Sequence, residues 1–195
     1  MDAAIPVPTY MITQTAMPRS AYLGAVAALA RAPAADGEAR IARAEAALRA
    51  GAAPASQISD LTSALMQSPA SARGWILISE VWAPTDKRKA ASMLAQSLIL
   101  APHDYWLSGW QAQDAARLWP YLGPDAQART LVQVRALWED PLLRGQLRAL
   151  LTSDAGVALA TRAFRGRQDE VRRMNRWLSF ERIVDPLNQE TSGSP

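Results

Sequence analysis

Cysteine is absent from this chain of 195 residues, and histidine occurs once, as His103. Without cysteine the chain can form neither disulfides nor thiolate metal sites. A single histidine leaves no second imidazole for zinc, and no serine or cysteine nucleophile motif accompanies it. Phenylalanine and tyrosine are scarce, whereas seven tryptophans stand among many alanines. Small alanines let helices approach closely and indoles fill the remaining volume, so this composition favours an all-helical protein.

Long apolar runs and glycine-rich loops are also missing. No segment approaches the roughly 18 consecutive apolar residues of a membrane-spanning helix. The ten glycines are scattered and form neither a G-x-G-x-x-G pattern nor a P-loop, so no phosphate cradle is present. Residues 1–17 lack the basic and apolar regions of a signal peptide. We therefore expect no transmembrane segment, no cofactor, no metal and no enzymatic activity.

The positive charge is small and unevenly placed. The net charge is +3, which is weak support for a nucleic-acid or anionic-lipid partner. The excess lies between Arg162 and Arg182, where Arg172, Arg173 and Arg176 form a basic patch on the last predicted helix. We interpret this helix as a solvated cap at the end of the fold. The alternatives are a nucleic-acid-binding helix–turn–helix with Gly166 at its turn, and a helix resting on a membrane surface.

Two segments spaced 33 residues apart share one pattern. The first, "ISDLTSALMQSP", ends at Pro69, and the second, "KAASMLAQSLILAP", ends at Pro102. Each is a short apolar helical pattern that is closed by proline and followed by another helix. This period is typical of stacked helical hairpins, whose units bury their apolar faces against their neighbours. Such repeats build binding surfaces more often than catalytic sites.

Hydrophobic periodicity predicts the helix boundaries. The first helix covers Arg19 to Arg31, and the second stops at Gly51, which suits a C′ position. The third begins at Ser56 as its N-cap, and the fifth is capped by Thr85 or Asp86. We expect an extended arm over 1–17, one helical-repeat domain over 18–187 and a disordered tail over 188–195.

Residues 38–103 resemble the tetratricopeptide repeat. The large and small positions of the family's two helices are matched by Trp75, Ser79, Trp82, Ala90, Leu94, Ser97 and Pro102. The loop at Pro84–Asp86 is one residue short and lacks the usual glycine, and the period is lost after Asp104. The resemblance implies an all-α, right-handed array of helical hairpins, an α-solenoid that is irregular at its C-terminal end. Its concave face would bind a protein partner.

The segment "SPASARGWILISEVW" is also similar in general character to small helical-repeat proteins of bacterial exopolysaccharide gene clusters. This resemblance implies an accessory factor for polysaccharide polymerisation or export, with a membrane polysaccharide polymerase or ligase as its partner. Members of that group are exported or membrane-anchored. The implied location is the periplasm or the membrane if an N-terminal segment has been removed, and the cytoplasm otherwise.

Tryptophans crowd the segment in which the repeat pattern decays. Trp106 and Trp110 lie four residues apart, a spacing at which side chains meet on a helix surface. Because tryptophan and arginine dominate interface energies, we predict partner-binding anchors at Trp106, Trp110, Arg117 and Trp119. The alternative is that these indoles belong to an irregular core.

Acid–base chemistry is the last alternative. His103 and Asp104 are adjacent, but adjacent side chains seldom point together, so we predict an exposed histidine beside a capping aspartate. Two acidic pairs, Glu139-Asp140 and Asp169-Glu170, lie at helix ends, and Asp169 is expected to pair with Arg173. A glycosidase needs two carboxylates converging across a cleft, and the sequence leaves that geometry open.

Overall fold

The structure is a computed structural model that describes residues 18–29 and 36–191, with side chains described for residues 18, 20–29 and 36–179. The predicted arm over 1–17 lies outside the described residues. Within them the chain is all-α and contains no strand, as predicted. The ten helices are α1 (Arg19–Leu29), α2 (Gly37–Arg49), α3 (Pro54–Gln67), α4 (Ala72–Trp82), α5 (Lys87–Leu100), α6 (Ser108–Leu118), α7 (Pro124–Glu139), α8 (Arg144–Leu150), α9 (Asp154–Ala163) and α10 (Gln168–Thr191).

Side-chain caps set several helix starts. Asp86 accepts a hydrogen bond from the backbone N–H of Lys89 at 2.9 Å, which confirms the predicted cap of α5. The predicted N-cap of α3, Ser56, is three residues too late, because the N-cap is Ala53. That helix begins at Pro54, whose fixed φ suits the first helical position, and the Ser56 hydroxyl instead donates to the Ala53 carbonyl at 2.7 Å.

Two glycines with positive φ end or separate helices. Gly51 has φ of 91° directly after α2, which confirms it as the predicted C′ residue. Gly166 has φ of 81° in the turn between α9 and α10. The predicted tail over 188–195 begins inside α10, because that helix runs to Thr191. Residues 192–195 lie outside the described part of the chain.

The first five helices pack in chain order, each on the next, with the most extensive contact between α4 and α5. α2 also touches α4. The buried residues of α5 include Ala90, Leu94, Ser97 and Leu98, which is the stripe predicted from the sequence. The Ser79 hydroxyl donates to the Ala90 carbonyl at 2.9 Å and so joins α4 to α5 at a point where small residues allow close approach.

The packing changes at α6. This helix contacts α5, α7, α8 and α9, and α7 also contacts α8 and α9, so these helices close on one another. Their shared core includes Leu137, Leu147, Leu150 and Leu159. A helix with several neighbours buries more than one side, and it therefore needs apolar residues in more than a single repeating stripe. This arrangement is the physical reason why the 33-residue pattern fades after Asp104.

A buried polar network ties α5, α6 and α7 together. The Gln111 amide donates to Ser97 Oγ at 2.9 Å, and the Gln133 amide donates to Gln111 and to Ser108 Oγ. The Ser97 hydroxyl in turn donates to the Ala72 carbonyl at 2.9 Å. Because each buried amide needs specific partners, this network fixes how α6 sits on α5. Among the helices described, none is long and apolar enough to cross a membrane.

Candidate functional site

The start of α6 is fixed by two side chains. Asp104 Oδ1 accepts hydrogen bonds from the backbone N–H groups of Trp106 at 2.7 Å and Leu107 at 3.0 Å. Gln146 of α8 accepts from the Gly109 N–H at 2.7 Å and donates to the Tyr105 carbonyl at 3.0 Å. These bonds satisfy backbone groups that a helix start leaves unpaired. They also fix the direction in which α6 carries its side chains.

Side chains from α2, α4 and α6 then meet at one place. The Trp110 indole N–H donates to Glu80 Oε1 at 2.8 Å, and the Arg49 guanidinium lies 5.2 Å from the Trp110 ring centroid. Arg117, two turns along α6, lies 3.8 Å from Glu80 and forms an ion pair with Asp114. We call these five residues the groove cluster. It joins three helices through a half-buried indole and four charged groups.

Asp114 is the buried member of the groove cluster, at 2% exposure. Its burial raises the carboxyl pKa from 3.8 to about 7, and the nearby charge of Glu80 adds to this rise, while Arg117 opposes it. One Asp114 oxygen bonds Arg117, and the other has no hydrogen-bond partner among the described residues. A carboxyl with this pKa is half protonated near neutral pH.

Arg117, like Arg49, is an exposed member of the cluster, and 60% of its side chain is accessible. Desolvation lowers the pKa of its guanidinium, but attraction by Asp114 and Glu80 outweighs that effect and the pKa is raised. The guanidinium therefore stays charged while Asp114 holds it in place. Asp114 is buried, so Arg117 is the member of this ion pair that is accessible from outside.

The other two predicted anchors lie outside the groove cluster. Trp106 precedes α6, so the predicted four-residue pairing with Trp110 on one helix face does not apply. Trp106 is 47% exposed, and its ring packs edge-on against Tyr105, with centroids 5.0 Å apart. Trp119 is half-buried in a 3-10 turn after α6, between two apolar core clusters, with the Arg162 guanidinium 5.5 Å from its ring.

Sequence reasoning missed Arg49, Glu80 and Asp114. One local feature was available, since Asp114 and Arg117 are three apart on a predicted helix and such residues are neighbours. Glu80 is also the only acid in α4, most of whose residues are apolar. No local pattern connects Glu80 or Arg49 to Trp110.

The predicted basic patch on α10 is exposed but mixed in charge. Arg172 pairs with Asp169, so the expected pairing of Asp169 with Arg173 was wrong by one position. Arg173 and Arg176 are exposed on the same helix. The predicted turn histidine, His103, is also exposed, and the adjacent Asp104 caps as described above.

Neither a metal centre nor a known relative defines the site. In residues 18–29 and 36–191, no three acidic or histidine side chains come together in a way that could hold a metal ion. The chain matches no family model, no curated protein and no solved structure. Its function must therefore be inferred from the residues and their geometry.

Proposed function

We propose that this chain is a non-catalytic protein-interaction scaffold built from tetratricopeptide-like helical hairpins in a right-handed array. The groove cluster lies on its binding face. The general resemblance to accessory proteins of exopolysaccharide gene clusters supports a membrane polysaccharide polymerase or ligase as the partner.

The order of the helices supports a shared binding face. α2, α4 and α6 are the first helices of three successive hairpins, α2–α3, α4–α5 and α6–α7. Their side chains meet at Trp110, which touches Glu80 of α4 and Arg49 of α2. Contact between alternate helices is what stacked hairpins require, and it supports the proposed array.

The observation that carries the proposal is the exposed Arg117 held by the buried Asp114. Ordering a free arginine on binding costs conformational entropy. Here the ion pair has already restricted the side chain, so less remains to be lost when a partner carboxylate or carbonyl binds it. Trp110 beside it is fixed by its hydrogen bond to Glu80 and adds apolar contact area.

Site-specific photocrosslinking tests this face. A benzophenone residue at Gln113, which is exposed one turn before Arg117, should crosslink a partner in the native cell. The control position for the same benzophenone residue is Met66 of α3, which is 76% exposed and lies outside the cluster. We expect a specific adduct from position 113 and none from position 66.

The isolated partner then allows a quantitative test. Arg117→Ala should weaken its binding roughly tenfold or more, as expected for an arginine that dominates an interface. Arg88→Ala, which removes an exposed arginine of α5, should leave affinity unchanged. Equal crosslinking from both positions, or an affinity indifferent to Arg117, would show that the binding face lies elsewhere.

A further inference from the structure

A separate pocket lies where α7, α8 and α10 meet. It has a volume of about 460 Å³ and is lined by Trp138, Glu139, Arg144, Glu170, Arg173 and Trp177. The two indoles pack edge-to-face, with ring centroids 6.0 Å apart and an angle of 62° between their planes. Ligand pockets combine such apolar surfaces with a few fixed polar groups, and this volume is within their usual range.

Three of the charged side chains around this pocket, Glu139, Arg144 and Glu170, have defined neighbours. The Arg144 guanidinium stacks 4.4 Å from the Trp138 ring centroid, and its Nε donates to the Trp138 carbonyl at 3.1 Å. Arg167 lies 3.1 Å from Glu170 and 3.9 Å from Glu139 and so bridges the two carboxylates. Glu139 and Glu170 come from the two separate acidic pairs noted in the sequence, and both lie beside Arg167.

Two polar groups of the pocket are left without partners. One oxygen of Glu170 accepts from Arg167, and the other is buried with no hydrogen-bond donor among the described residues. The Arg173 guanidinium makes no hydrogen bond or ion pair within that same part of the chain. A buried acceptor without a donor usually indicates a missing water or ligand. The pocket therefore offers one spare acceptor and one spare donor beside an indole.

We propose that this pocket binds a neutral saccharide through one or two hexose rings. A sugar ring presents an apolar C–H face that stacks on an indole, and Trp177 is the half-exposed indole here. Its hydroxyl groups both donate and accept, and they match the free Glu170 oxygen and the Arg173 guanidinium. Arginines and glutamates of opposite sign alternate around the pocket, so an anionic or cationic ligand would meet repulsion as well as attraction.

This inference is independent of the proposed protein-binding face, since the pocket shares no residue with the groove cluster. Its test also requires no protein partner. Failure of one proposal therefore leaves the other standing.

Isothermal titration with cellotetraose, maltotetraose and tetragalacturonate tests the proposal on the full chain. We expect saturable binding of at least one neutral oligosaccharide and weaker binding of the acidic one. Trp177→Ala should lower the affinity roughly tenfold, the size of one aromatic contact. Arg173→Ala should lower it severalfold, while Trp106→Ala, which removes an exposed indole elsewhere, should not change it.

Trp177→Phe keeps an aromatic ring in the core, so it separates lost binding from lost folding. With circular dichroism unchanged, its affinity should fall between those of the wild type and the alanine variant. Absence of binding by both neutral oligosaccharides up to about 10 mM would overturn the proposal, because a weaker dissociation constant would not distinguish this pocket from non-specific contact. Preference for tetragalacturonate, or affinity unaffected by Trp177→Ala and Arg173→Ala, would overturn it as well.

Discussion

Replacing Asp114 by asparagine should remove a pH dependence of stability that the wild-type chain shows above about pH 4. The Asp114 pKa rises from 3.8 to about 7 on folding, mainly because the carboxyl is desolvated. The folded state therefore holds this proton more tightly than the unfolded state does. The stabilisation is fully present below the unfolded pKa, and it is lost as the pH rises through the folded pKa.

The size of the effect follows from the shift. Each pKa unit corresponds to about 1.36 kcal/mol, so a shift of about three units gives about 4 kcal/mol between acidic and alkaline conditions. Asparagine resembles the protonated acid in shape and cannot ionise. The difference in unfolding free energy between Asp114→Asn and the wild type should be near zero at about pH 4 and reach about 4 kcal/mol in favour of the variant at about pH 8.

Urea denaturation followed by circular dichroism, repeated between about pH 4 and pH 8.5, measures this difference. Effects of the substitution that do not depend on pH shift the unfolding free energy equally at every pH and leave its slope against pH unchanged. Asp125→Asn, which removes an exposed carboxylate from the first turn of α7, is the matched control. If the curves of the wild type and Asp114→Asn run parallel over this range, the burial argument for Asp114 is wrong.

Three further outcomes are expected. Gly109→Ala should destabilise by about 1–3 kcal/mol in urea denaturation, because the new Cβ would lie 2.5 Å from Gln146 Oε1 and displace that amide. Gly145→Ala, which meets open space in α8, should be neutral or slightly stabilising. Leu94→Ala at a fully buried position should cost about 2–5 kcal/mol, whereas Leu142→Ala at 77% exposure should stay within about 0.5 kcal/mol. In a salt titration on mixed-sequence DNA we expect no binding at low salt. Binding that falls steeply with rising salt would instead support the nucleic-acid alternative. Loss of that binding on alanine replacement of Arg172, Arg173 and Arg176 would assign it to the basic patch.

Local sequence features predicted the helical elements well. The cap at Asp86, the C′ position of Gly51 and the buried stripe of α5 all depend on residues within a few positions of one another. The start of α3 was misplaced because Pro54 at the first helical position outweighed the expected Ser56 cap. Such errors concern helix ends, where several residues compete for the same backbone groups.

The candidate site could be predicted only in part. Trp110 and Arg117 were identified because they lie in a tryptophan-rich segment of one helix. Glu80 lies 30 residues before Trp110, and nothing between them indicates that the two side chains share a hydrogen bond. Glu139 and Glu170 were likewise recognised as separate helix-end acids, and only the fold places both beside Arg167.

The sequence by itself determined that this protein is helical, because apolar periodicity, capping residues and the alanine-rich composition act over single turns of chain. Tertiary structure alone decided which charged groups are buried together. Burial of Asp114 depends on how α6 is seated against α4 and α5, which the buried Ser97–Gln111 bond and the surrounding core fix. That seating depends on whole helix faces in contact. It buries Asp114, which on an open surface would form an ordinary ion pair with Arg117, and the burial raises the pKa of its carboxyl to about 7.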